Sequence, residues 1–89
     1  MAEELLKDEE LKEVAGGASY RVIGIAKVIT TNLNIRSGAS TSSSRLGQTN
    51  APAQYEVYEI LQNEGYIWYR IDYNKWIAND GTWVEFHAR

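Results

Sequence analysis

Tyr66-Ile67-Trp68-Tyr69-Arg70-Ile71-Asp72 is a short run of aromatic and aliphatic residues with no helical period, and it reads as a β-strand. Successive side chains of an extended chain point to opposite faces, so Tyr69 and Ile71 share one face and Trp68 and Arg70 the other. Asn63-Glu64-Gly65 just before it is turn chemistry, and Gln54 to Leu61 reads as another strand, so the two predict a hairpin. Downstream, Lys75 to Ala78 and Thr82 to Glu85 read as short strands on either side of the turn Asn79-Asp80-Gly81.

The remaining elements lie upstream. Tyr20 to Thr30 carries Val22, Ile23, Ile25, Val28 and Ile29, a β-branched stretch read as a long strand in which Gly24 marks a bend or bulge. Leu33-Asn34-Ile35-Arg36 is a short strand with Leu33 and Ile35 on one face, and Ser37 to Ser44 is small, polar and read as loop. Pro52 marks a turn or a strand start. No segment of helical period follows Gly17. Five to six short strands so spaced predict an all-β domain, a small barrel or sandwich, with Leu33, Ile35, Val57, Tyr69, Ile71 and Val84 in its core.

Three stretches resemble the bacterial SH3 (SH3b) family found in cell-wall hydrolases and other exported proteins. Leu33-Asn34-Ile35-Arg36-Ser37-Gly38 is similar to its early Leu-Asn-(Val/Ile)-Arg-Ser-Gly motif. Tyr55 to Ile60 with Trp68-Tyr69-Arg70-Ile71 is similar to its central hairpin, and Lys75-Trp76-Ile77-Ala78 with Trp83-Val84 to its closing strands. The family often has a glycine before the central strand where this chain has Pro52-Ala53. The resemblance implies a small SH3-like β-barrel over residues 18–89 and, as function, recognition of peptide parts of peptidoglycan by aromatic and polar groups near the first long loop.

Composition supports a single small domain. The chain has 89 residues, enough for one domain only. A fold of this size buries only about 60 % of its unfolded surface, and with no cysteine it has neither disulfide nor thiolate–zinc site to reinforce it. Its ten aromatics (three Trp, six Tyr, one Phe) must supply the core. The net charge of −3 points away from nucleic acid and anionic membrane. No apolar run reaches the roughly 18–20 residues of a membrane span, and no stretch has the form of a Sec signal.

The first 17 residues differ from the rest. Six acids (Glu3, Glu4, Asp8, Glu9, Glu10, Glu13) face two bases (Lys7, Lys12), a sum of −4, while the remaining seven bases and six acids give +1. Leu6, Leu11 and Val14 fall within an arc of roughly 140° on a helix, and Gly16-Gly17 would end it. By pattern alone this is a solvated tail, helical or disordered. Leu6, Glu10, Leu11, Val14, Gly16 and Gly17 also resemble the double-glycine leader of exported bacterial peptides. That resemblance implies an ABC exporter whose peptidase domain grips the leader and cuts after Gly17, leaving 89 − 17 = 72 residues from Ala18.

An enzyme is not expected. With no cysteine and a single histidine, His87, read as a solvated residue near the end, the usual nucleophile and base routes are closed. Glu56 and Glu59 are three apart on the predicted strand and so point to opposite faces. No acidic cluster has the spacing of a metal loop, and no cofactor is implied. Binding is the better expectation, because a small barrel cannot bury every ring and clustered exposed rings mark recognition surfaces. Tyr58, Tyr66, Trp68, Tyr73 and Trp76 are the candidate ligand-binding rings, with Asn34 and Arg36 beside them. Arg36 has two readings, a ligand-binding cation or a brace on a carbonyl of the loop that follows. The expected protein is a monomeric module, cytoplasmic as a precursor and secreted or wall-associated once the leader is removed. Its partner is a cell-wall peptide or a peptide of another protein. The alternatives are a bacteriocin-like or signalling polypeptide and an intracellular protein-interaction module.

Overall fold

The computed structural model describes residues 21–89, all β-strand, turn and loop. The predicted leader, with Leu6, Glu10, Leu11, Val14, Gly16 and Gly17, lies outside the described residues. Eight strands follow in order: β1 (Gly24–Val28), β2 (Leu33–Arg36), β3 (Arg45–Thr49), β4 (Gln54–Val57), β5 (Glu59–Asn63), β6 (Tyr66–Asp72), β7 (Lys75–Asn79) and β8 (Val84–Ala88). They form a three-stranded sheet of order β4-β1-β8 and a five-stranded sheet of order β3-β2-β7-β6-β5, antiparallel at every pairing. This is a small SH3-like β-barrel, the expected fold class.

The two sheets pack their inner faces together. Ala26, Val28, Leu33, Val57, Tyr69, Ile77 and Val84 form the buried core, with Ile35, Ile71, Tyr55 and Phe86 packed against it. Every predicted core residue is in this cluster or against it. The alternation read from Tyr69 and Ile71 explains why, since one stripe of β6 faces inward. The hairpin between β5 and β6 also forms as expected. Asn63 pairs with Tyr66 and leaves Glu64 and Gly65 as the two loop residues, at φ 60° and 81°. Positive φ at both positions is the type I′ turn, whose twist matches that of the flanking strands.

Three expectations need correction. The strand Gln54–Leu61 is two strands, because the chain passes from one sheet to the other at Tyr58. Glu56 pairs with Ile25 of β1, whereas the Tyr58 N–H already donates to Arg70 O of β6 at 2.9 Å. The apolar alternation changes phase there, from Tyr55 and Val57 to Tyr58 and Ile60, and this one-residue shift is the mark that the switch leaves in the sequence. A further strand, β3, pairs with β2 through Thr49, Gln48, Gly47 and Arg45, and Leu46 is left over as a bulge. The five to six expected strands therefore become eight.

The third correction is Gly24. It pairs regularly with Val57 and Ala88 and makes no bulge. Its role is clearance: a Cβ there would overlap the Phe86 ring and stand 2.7 Å from His87 O. Phe86 in turn stacks on Tyr69, with ring centres 5.2 Å apart and planes 13° from parallel. Gly24→Ala is expected to push Phe86 off Tyr69 and cost about 1–3 kcal/mol, the usual range for overpacking. Urea unfolding should show a lower midpoint at unchanged slope. An unchanged midpoint would contradict this seating of Phe86.

Candidate functional site

Strand alternation divides the side chains of β2, β6 and β7 between two faces. Leu33, Ile35, Tyr69, Ile71 and Ile77 go to the core, while Asn34, Arg36, Trp68, Arg70, Trp76 and Ala78 go to the outer face of the five-stranded sheet. Cross-strand pairing brings the latter together, with Arg36 opposite Trp76, Trp68 opposite Ala78 and Arg70 opposite Trp76. A second cluster forms there from Trp68, Trp76 and Ala78, with Ala39, Tyr66 and Trp83 packed against it.

The serine-rich loop after β2 contributes to that cluster through Ala39 and is held by long-range hydrogen bonds. Asn63 Nδ2 donates to Ala39 O at 2.8 Å, and the Thr41 N–H and Ser40 Oγ donate to the Glu64 carboxylate at 2.8 and 3.0 Å. Arg36 Nη1 donates to Ser43 O at 3.0 Å from within the loop's own base. The Glu64 carboxyl is held below its ordinary pKa, first by the Thr41 N–H and then by the Ser40 hydroxyl. The tie to the loop is therefore complete above the ordinary glutamate range and is released as acid protonates Glu64 through its lowered value.

Where the loop stops, a groove of about 300 Å³ remains open. Trp68 and Ala78, both buried, make its floor, and Tyr66 and Trp83 line it with their rings 5.6 Å apart and 22° from parallel. Thr30 to Asn34, Arg36 and Thr41 complete the lining. Local chemistry fixes each part. The Trp68 indole N–H is already used, donating to Asn63 O at 3.1 Å. Asn32 sits at φ 56°, and its N–H donates to Asn50 Oδ1 at 2.7 Å, while the Ala51 N–H donates to Thr30 O. Asparagine tolerates that left-handed conformation better than most residues.

Trp83 is set by Asn79. The buried Asn79 Oδ1 accepts the N–H groups of Gly81, Trp83 and Val84 at 2.9, 3.2 and 3.1 Å, and the Ile29 N–H donates to Trp83 O at 2.9 Å. Within the same turn the Asp80 carboxylate accepts the Thr82 hydroxyl and N–H, which lower its pKa.

The predicted ligand-binding residues thus separate. Asn34, Arg36, Tyr66 and Trp68 line the groove. Trp68 does so as buried floor, 1 % exposed, and Trp76, at 9 %, belongs to the same buried cluster and does not line the groove. Both are covered because strands and loop close over the outer face, an arrangement that a strand-by-strand reading of ring exposure does not anticipate. Tyr58 stands apart: its ring lies 5.7 Å from the guanidinium of buried Arg70, whose Nε donates to Glu59 Oε1 at 3.1 Å. That ion pair and ring compensate a charge in the sheet rather than build a site. Tyr73, 41 % exposed, is in the turn between β6 and β7 and away from the groove lining. Arg36 does brace the loop, as one of its two readings had it, and also lines the groove. His87 is exposed but has a partner, its Nε2 lying 3.3 Å from Glu85 Oε1.

Sequence reasoning missed Trp83 and the segment Thr30–Asn32. The signal for Trp83 was the Asn-Asp-Gly turn just before it, which fixes the ring's backbone. Among the described residues no group of three or more His, Asp and Glu side chains could hold a metal, and no helix is long and apolar enough to cross a membrane.

An eight-stranded barrel with an open, ring-lined groove and most of its other rings in use defines a small binding module. The sequence profile of the bacterial SH3 domain matches residues 31–85, and the chain belongs to that family. Membership makes it a module for binding peptide or protein. Comparison with curated proteins and with solved structures gave no match.

Asn79→Ala would leave three N–H groups without their acceptor. It is expected to cost on the order of 2–3 kcal/mol and to shift tryptophan emission to the red as Trp83 loosens. Unchanged stability and emission would show that Asn79 does not set this turn.

Proposed function

We propose that the chain is an exported cell-wall module that binds the peptide part of peptidoglycan in the groove between Tyr66, Trp83 and the Thr30–Asn34 segment. The observation that carries this reading is the groove itself, in which an aromatic pair lies beside a row of short polar side chains. Rings offer area to small aliphatic side chains at low entropy cost, and asparagine and threonine side chains suit the closely spaced amides of a peptide. Bacterial SH3 domains are commonly associated with the cell wall, which favours this ligand among peptides.

Sedimentation with purified peptidoglycan tests the reading. Wild-type protein should be retained, and Tyr66→Ala should reduce retention about tenfold, as for an aromatic hot spot. Tyr73→Ala, which removes an exposed ring outside the groove, should bind like wild type. Equal retention of all three proteins, or equal loss in both variants, would exclude the groove as the binding site.

The export half of the proposal rests on Leu6, Glu10, Leu11, Val14, Gly16 and Gly17. Incubation with the peptidase domain of a double-glycine exporter should yield one product beginning at Ala18, as read by mass spectrometry. The same substrate with Gly17→Val should stay intact, because a side chain at that position would obstruct a narrow cleft. An uncut wild-type chain would return the first 17 residues to the status of a tail.

A further inference from the structure

The charge and the unused hydrogen-bonding groups of the groove narrow its ligand further, an inference that rests on the peptide-binding reading above. The groove lining contains one charged side chain, Arg36, and no carboxylate, in a chain whose net charge is −3. Glu64 is close enough for Arg36 to help lower its pKa, yet its carboxylate is engaged by Thr41 and Ser40 and is not part of the lining. The Arg36 side chain makes one hydrogen bond among the described residues, from Nη1 to Ser43 O. A guanidinium carries five N–H groups, so this brace fixes its position and leaves donors for a ligand. Neither the Tyr66 hydroxyl nor the Trp83 indole N–H has a hydrogen-bond partner among the described residues, whereas the Tyr55 hydroxyl and Trp68 N–H are both bonded. Asn34 accepts from Gln48 Nε2 through Oδ1, which leaves its own amide N–H groups as donors. The groove therefore offers a single cation and the donor-only N–H groups of Arg36, Asn34 and Trp83, beside tyrosine and threonine hydroxyls that can donate or accept.

We propose that the groove takes its peptide by a free carboxylate, which Arg36 binds while Tyr66 and Trp83 receive the small side chains next to it. A guanidinium already braced by the loop loses little freedom on binding, and its fork matches the two oxygens of a carboxylate. The specificity follows from the difference between ligands: an amide in the same place offers one acceptor and no charge, and it presents donors to donors.

The probe is the pool of soluble stem peptides that an amidase releases from purified peptidoglycan, compared with the same pool after its carboxylates are converted to methylamides. Binding is followed by tryptophan fluorescence, with sedimentation on intact peptidoglycan run in parallel. Wild-type protein should bind the untreated pool at least about tenfold more tightly than the amidated one, as expected for one charge-assisted contact. Arg36→Gln should bind both pools equally and at the weaker level. The wild-type comparison does not depend on a variant that could disturb the loop. Equal binding of the two pools by wild-type protein overturns the carboxylate inference and leaves the groove reading in place. So does retention on intact peptidoglycan with no binding of the soluble pool. Failure to bind any of these materials overturns both.

Discussion

Burial of Trp68 on the outer face of the five-stranded sheet is the condition on which the rest of the site depends. A small barrel has one inner core, and a strand such as β6 with large residues on both faces leaves the second set facing water unless something covers it. Here the cover includes a polar loop that contributes Ala39, together with Tyr66, Trp83 and Trp76. Individual hydrogen bonds in an exposed loop contribute only about 0.5–1.5 kcal/mol each, no more than the cost of ordering one residue, about 1–2 kcal/mol. The bonds from Asn63, Glu64 and Arg36 therefore set where the loop lies, while ring burial supplies the driving force. The groove is the part of this face that the loop leaves open.

The same division assigns the aromatic residues. Tyr69, Phe86 and Tyr55 belong to the inner core, Trp68 and Trp76 to the covered outer face, and Tyr58 to the Arg70–Glu59 pair. Tyr66 and Trp83 stand between the clusters and the solvent, half-buried and stacked on each other. A binding surface made from rings that are also packed is rigid, and rigidity reduces the entropy lost on association.

Most of the fold was legible in the residues because β6, β2 and the type I′ turn obey local rules: alternation, and glycine where φ is positive. What was not legible depends on partners distant in sequence. The loop from Ser37 to Ser44 has no apolar pattern, and its placement comes from Asn63 and Glu64, more than twenty positions away. The break at Tyr58 shows only as the adjacent apolar pair Val57-Tyr58, a slight signal, and Arg45–Thr49 has too little alternation to announce β3. Gly24 stands out within a β-branched stretch, but only the ring of Phe86 against it explains why. Of the groove, Asn34, Arg36, Tyr66 and Trp68 were visible as residue types. Trp83 is not legible in the same way, because its place is decided by Asn79, a single side chain that accepts three backbone N–H groups.

Three indole N–H groups report on this arrangement separately, since each tryptophan gives its own resonance. Peptidoglycan fragments titrated into isotope-labelled protein should move the Trp83 indole signal progressively while the Trp68 signal, bonded within the protein to Asn63 O, stays nearly fixed. A Trp68 signal that moves while Trp83 remains still would contradict the account, because the covered face would then be the surface that meets the ligand.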